Sequence, residues 1–211
     1  MKSALCTTRN ALLQRGVDLS KSQGLISIPE NLLTDLPVHM EYRKDCEQVP
    51  ELQQLLPYVT LHDEQSRFFV YGRGPKGGEQ RLVGKLSLGL GGHVDTAPFG
   101  VSLEEHLVLE AFRELEEEAS LKPDGRSLIR AALISDQVPD GNLVSVGSVH
   151  LGIWYLRQVT QDEVGALEDG IILNGQWMTI DEIFSNLGRF EPWSQIIIQH
   201  FLDTSHASLK L

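Results

Sequence analysis

The chain has 211 residues, 41% hydrophobic and 22% charged, which suits one globular domain with an extension or a domain beside a small second one. A formal net charge of −11 excludes a non-specific nucleic-acid binder, because no basic patch stands ready to neutralise phosphates. No stretch reaches the roughly eighteen apolar residues of a membrane span, and the first ten residues lack the apolar run of a signal peptide. The expectation is a cytoplasmic protein without a membrane partner. Cys6 and Cys46 have no metal-ligand spacing and imply no disulfide framework; they read as small buried apolar residues.

Residues 1–60 carry weak signals. Residues 26–28 suggest a short strand before Pro29, which is tolerated at a helix start. Leu32, Leu33 and Leu36 have helical spacing, and residues 50–56 read as a helix of one to two turns stopped by Pro57. This extension reads as a lid, as a dimerisation arm of a homodimer, or as packing for a sheet. From residue 58 the pattern becomes β-like: a strand at 67–71, a turn at 72–78 and a second strand at 81–90. In the last of these Leu86, Leu88 and Leu90 alternate with Ser87 and Gly89. Gly72-x-Gly74-x-x-Gly77 formally matches a dinucleotide fingerprint, but it contains Pro75 and precedes a strand where a helix is required. Gly84-Lys85-Leu86 has Leu where a phosphate loop needs Ser or Thr. Arg73, Lys76 and Arg81 read as solvated hairpin charges before they read as phosphate contacts.

Ser102 with Glu105 three residues on makes a capping box, so a helix is expected from Leu103, ended by Lys122-Pro-Asp-Gly125. Strands follow at 127–134 and 143–156, joined by a turn at 139–142. His150 falls within the second of these, as a satisfied sheet histidine or as a contact to a substrate phosphate or base. Residues 175–184 open a short helix, and residues 191–202 form a C-terminal helix with Pro192 in its first turn. Alternation of strand pairs with helices predicts an α/β fold.

The long helix is where chemistry concentrates. Val108, Ala111, Phe112, Leu115 and Ala119 share one face, and Glu110, Glu114, Glu117 and Glu118 gather on roughly the opposite one. Like charges three and four apart destabilise a helix by a few tenths of a kcal/mol per pair. A solvated acidic face is one reading. A hard divalent cation among the carboxylates is the other, and the glycine-rich strand end upstream and Arg113 inside the acid run favour it.

Arg113-Glu114-Leu115-Glu116-Glu117-Glu118-Ala119-Ser120-Leu121 resembles the core of the box of Nudix (MutT-like) hydrolases, G-x5-E-x7-R-E-U-x-E-E-x-G-U, with U aliphatic. Glu105 stands eight residues before Arg113, as the pattern's first Glu does. Ser120 replaces the final Gly and Phe99 the first. The Gly91-Gly92 pair lies seven residues further upstream than the pattern sets it, so residues 96–102 read as an insertion. Leu88-Gly-Leu-Gly-Gly-His-Val94 is similar to a subgroup described as predicted phosphoesterases. The segment from Trp177 to Asp181-Glu182-Ile183 is similar to another recurring stretch of the family.

The resemblance implies an α/β/α sandwich around a mixed β-sheet over residues 61–211, with residues 1–60 as an N-terminal extension. It implies a Mg²⁺-dependent hydrolase, with Mn²⁺ as substitute, cleaving a diphosphate linkage in a nucleoside diphosphate derivative or similar phosphorylated small molecule. Glu114, Glu117 and Glu118 would be metal ligands with the Gly91 carbonyl, and Arg113 would orient the carboxylates. Glu105 matches the Glu that pairs with the box Arg in relatives, although one continuous helix would set them about 12 Å apart and the capping role competes. Gly92, His93 and His150 are the expected substrate contacts. The general base would be a box Glu or a loop residue, with Asp136, Asp140, Asp162 and Glu163 as candidates. A non-catalytic Nudix-like nucleotide sensor is the alternative; diphosphate isomerisation is a weaker one, as no Cys is placed for it.

Overall fold

A computed structural model describes residues 2–21, 23–136 and 146–208. The expected turn at 139–142 and Asp140 lie outside the described residues. In chain order the elements are β1 (Ser3–Thr8), α1 (Arg9–Leu13), β2 (Gly24–Ile26), α2 (Leu32–Asp35), β3 (His39–Tyr42), α3 (Arg43–Cys46), β4 (Leu52–His62) and β5 (Phe68–Arg73). They continue with β6 (Leu86–Ser87), β7 (Gly89–Leu90), α4 (Leu103–Ala119), β8 (Ile129–Ser135), β9 (His150–Gln158), β10 (Ile172–Met178), α5 (Ile180–Ser185) and α6 (Pro192–Ser208). Two compact units are distinguished. The first comprises Met1–Tyr58, Gly91–Ala111 and Arg130–Tyr155, the second Val59–Leu90, Phe112–Ile129 and Leu156–Leu211. β4, α4 and β9 each contribute residues to both. No helix among the described residues is long and apolar enough to cross a membrane.

In the first unit β1 pairs antiparallel with β3, Cys6 opposite His39, and with β4, Cys6 opposite Gln54. β2 pairs antiparallel with β8. Gln54 N–H donates to Val149 O, so β4 has a ladder on its other side as well. Residues 52–56 are therefore the start of a central strand and not the expected helix. A helix of five or six residues is marginal in water, whereas here two neighbouring strands satisfy the backbone and bury Gln53, Gln54 and Leu55. Tertiary pairing overrides a weak helical propensity.

In the second unit β5 pairs antiparallel with β10, β6 and β4, and the end of β4 pairs with β7. Val159 N–H donates to His62 O. With the Gln54–Val149 bond this shows that sequence numbers rise together along β4 and β9, so those two strands are parallel while the other registers above are antiparallel. The sheet is mixed and the chain is α/β, as expected from the sequence. The strand expected at 81–90 is present only at its end. Glu79 accepts from Arg81 N–H and ion-pairs with its guanidinium, which winds Gln80–Leu82 into a 3-10 turn, and Gly84 then reverses the chain at φ +80°.

α4 begins where its capping box predicts. Glu105 Oε2 accepts from both the N–H and the hydroxyl of Ser102, and Ser102 Oγ accepts from Glu105 N–H. The helix ends at Ala119, before Lys122-Pro-Asp-Gly125. Ser120 adopts φ +52°, its N–H returns to Glu116 O, and Leu121 N–H reaches Leu115 O. Helices commonly stop on such a left-handed residue, usually Gly. That explains the glycine of the family pattern, and here a serine takes the position.

Candidate active site

The carboxyl-terminal part of α4 belongs to the second unit and sets four charged side chains close together. Arg113 Nη2 lies 2.7 Å from Glu114 Oε1, and Nη1 lies 2.8 Å from Glu117 Oε2. Glu114 keeps 13% of its side chain exposed and Glu117 54%, while Glu118 is buried. One helical turn thus separates two carboxylates with little water around them, Glu114 and Glu118, and a guanidinium offsets the charge of the first. Burial, and after it the negative charge of Glu118, hold the Tyr71 phenol above its usual range, so Tyr71 stays neutral; its hydroxyl donates to Gly89 O at 2.8 Å.

A loop of the same unit fixes this end of the helix. Gly165 N–H donates to Ala119 O and Glu168 N–H to Glu118 O, satisfying carbonyls that a helix terminus otherwise leaves open. Ser120 Oγ donates to Ala166 O at 2.9 Å, a bond that a glycine at this position would lack.

Carboxylate oxygens on one helix face are the donor type that a hard divalent ion takes. Among the described residues no three His, Cys, Asp or Glu side chains are gathered tightly enough to enclose an ion as they stand. Arg113 ion-pairs with two of the three box acids, Glu114 and Glu117.

The first unit holds Gly91, Gly92, His93, Glu105, Asp136 and His150, and the second holds Asp162 and Glu163. Gly91 has φ +151°, and a Cβ there would stand 2.1 Å from Pro57 O. The absence of a side chain is therefore enforced by a close backbone approach, in addition to the access argument drawn from the sequence. Past Gly92, His93 Nε2 lies 3.2 Å from His150 Nε2, with the rings 78° apart. His150 is the first residue of β9 and is buried. Burial first, then the charges of His150, Arg43 and Lys2, push His93 down to about 2, so it is neutral across the physiological range. One ring must donate and the other accept for this contact to form.

Glu105 is committed to its capping box, which holds its carboxyl below the usual range through the Ser102 N–H and then the Ser102 hydroxyl. Glu163 is similarly occupied. Thr160 N–H, and then the Arg126 side chain, lower its pKa, which weakens it as a base.

One cluster was not singled out from the sequence. Thr96 Oγ1 donates to Glu110 Oε1 at 2.8 Å, and His106 Nε2 lies 2.9 Å from Thr96 O. His106 and Glu110 are both buried. They pin the first residue of the inserted loop to α4, and beyond it Phe99 is 96% exposed. The i, i+4 spacing of His106 and Glu110 was the available signal, hidden because Glu110 also fits the acidic face.

No protein-family model matches the chain. Protein YmaB of Bacillus subtilis is 36% identical to it over 159 residues, covering 74% of each chain. Among solved structures, Tm1382, a candidate Nudix hydrolase, aligns with a TM-score of 0.71 at 21% identity, covering 96% of this chain and 100% of that one. DR0079 from Deinococcus radiodurans aligns with a TM-score of 0.56 at 15% identity, covering 84% of this chain and 97% of that one. At these identities the two structures speak for a shared fold.

Proposed function

We propose that the chain is a Nudix (MutT-like) hydrolase, and that it opens a diphosphate linkage in a nucleotide-derived or similarly phosphorylated small molecule with the help of a divalent metal. The observation that carries this reading is the box itself: Glu114, Glu117 and Glu118 on one turn of α4, with Arg113 bonded to two of them at 2.7 and 2.8 Å. In this reading residues 61–211 form the hydrolase domain and residues 1–60 extend it.

Glu114, Glu117 and Glu118 would hold Mg²⁺, or Mn²⁺ in its place. When bound, the cation supplies positive charge to phosphoryl oxygens and makes water a better nucleophile toward phosphorus. Arg113 orients the carboxylates and limits their mutual repulsion. A carboxylate takes the proton from the attacking water. With Glu163 held by Thr160 and Arg126, the role falls to a box Glu or to Asp136, Asp140 or Asp162. Gly92, His93 and His150 are the substrate contacts of this reading, because a neutral imidazole such as that of His93 donates and accepts hydrogen bonds without adding charge.

The test is a panel of nucleoside diphosphate derivatives incubated with Mg²⁺, Mn²⁺ or excess chelator, scored by product release. Metal-dependent turnover is expected; full turnover in chelator would overturn the mechanism. A second reading, a nucleotide-binding sensor without turnover, draws on Arg113 being engaged with two of the box acids. Calorimetry showing nucleotide binding without product release would favour that reading.

A further inference from the structure

We propose that Cys6 and Cys46 are a redox-active pair that closes reversibly into an intrachain disulfide, stapling α3 to β1. This goes beyond the hydrolase reading and does not depend on it. The two sulfurs lie 3.0 Å apart across a separation of 40 residues. A covalent S–S bond is about 2.05 Å long, so closure asks for a displacement of about 1 Å shared between two side chains. Both residues are wholly buried in a small apolar cluster with Ala4, against which Leu52 packs.

The topology creates the pairing. β3 runs antiparallel to β1 with Tyr42 opposite Ser3, and Arg43 N–H donates to Lys2 O where the chain turns. α3 then runs back and brings its last residue onto Cys6. Cys46 is the buried residue of α3, while Lys44 and Asp45 are exposed. A single helical turn has little stability of its own. Its fraying would expose Cys46 to a small oxidant while the β1–β3 and β1–β4 ladders stay closed.

The chemistry balances with hydrogen peroxide as oxidant. Burial raises both thiols, and Cys46 gains access to water and oxidant first because it sits on the short helix that frays. Its thiolate attacks the O–O bond, giving a sulfenic acid and hydroxide, which takes a proton to become water. The Cys6 sulfur then attacks the sulfenic sulfur. The S–S bond forms, the S–O bond breaks, and the oxygen leaves as a second water with the Cys6 proton. Two thiols are oxidised and one peroxide is reduced.

The experiment uses the full chain. Protein with and without peroxide treatment is unfolded in guanidinium, alkylated with iodoacetamide and digested without reduction. A cross-linked peptide pair containing residues 6 and 46 is expected only after peroxide, reverting to two alkylated peptides after dithiothreitol. Oxidation should raise the Tm by about 5–10 °C, the range expected for a native-geometry cross-link in a domain of this size. Cys6→Ser and Cys46→Ser should each lose both the cross-link and the rise. Recovery of both cysteines alkylated after peroxide, their separate conversion to sulfinic acids, or a cross-link between copies would overturn the proposal. The wild-type peptide map decides the matter even if a serine variant folds poorly.

Discussion

Glu105 near the start of α4 and Glu114 in its later turns are glutamates on one continuous helix, and both match acids of the same box. Glu105 answers to its immediate neighbours, accepting from the N–H and hydroxyl of Ser102 three residues before it. Glu114 is bound to Arg113 and largely withdrawn from water, with Glu118 buried one turn further on. The first arrangement is a helix cap that many sequences would form anywhere. The second concentrates like charge in a poorly screened place, which local sequence preference opposes. The proposed metal ligands thus differ from the cap in the cost of their surroundings, and not in residue type or in their match to a pattern.

The sharpest way to break this contrast is to neutralise acids at the later turns. Glu117→Gln and Glu118→Gln should each lower kcat by about 10³-fold or more, with circular dichroism and Tm close to wild type. Turnover retained in either variant would place the chemistry elsewhere. Arg113→Ala should lower kcat by about 10–100-fold and weaken apparent metal affinity, as expected for a group that orients ligands. Arg113→Lys should recover only part, because one ammonium cannot fork to Glu114 and Glu117 as the guanidinium does.

Smaller effects test the helix ends. Ser120→Ala keeps the left-handed strain and loses the bond to Ala166, and should cost about 1 kcal/mol by urea denaturation. Ser120→Gly loses the same bond but relieves strain of about 1 kcal/mol, so it should unfold near wild type. Equal losses in both variants would argue against a positive φ at this residue. The smallest expected effect concerns the cap. The folded pKa of Glu105 is depressed, so its contribution is present above the unfolded value of about 4.3 and fades as pH falls through the folded one. Glu105→Gln should therefore show a slightly shallower loss of stability below about pH 4.3, with turnover reduced far less than in Glu117→Gln. An unchanged acid limb would remove the titrating cap.

Much of the fold was legible because its signals are short-range. Ser102 with Glu105 and Pro192 after Glu191 each mark a helix start by residues within one turn of each other, and each opens a helix in the structure. The box needed a family pattern as well, since an acidic face alone reads equally well as solvated. The start of β4 was not legible, because its strand state comes from β1 and from Val149, about 45 and 95 residues away in the chain; a short window sees only helix-forming residues. The same limit hid the His93–His150 contact and the Thr96–Glu110 bond, whose partners meet only after the chain has folded.

By itself, then, the sequence determined the α/β class, the position and start of α4 and the order of charges along it, because helix periodicity and capping act over three or four residues. Only the tertiary structure decided which of those charges are buried, that Ser120 ends the helix in a left-handed turn, and that Cys46 rests on Cys6. Burial, close backbone approach and strand partnership are properties of segments distant in the chain, and no local preference encodes them.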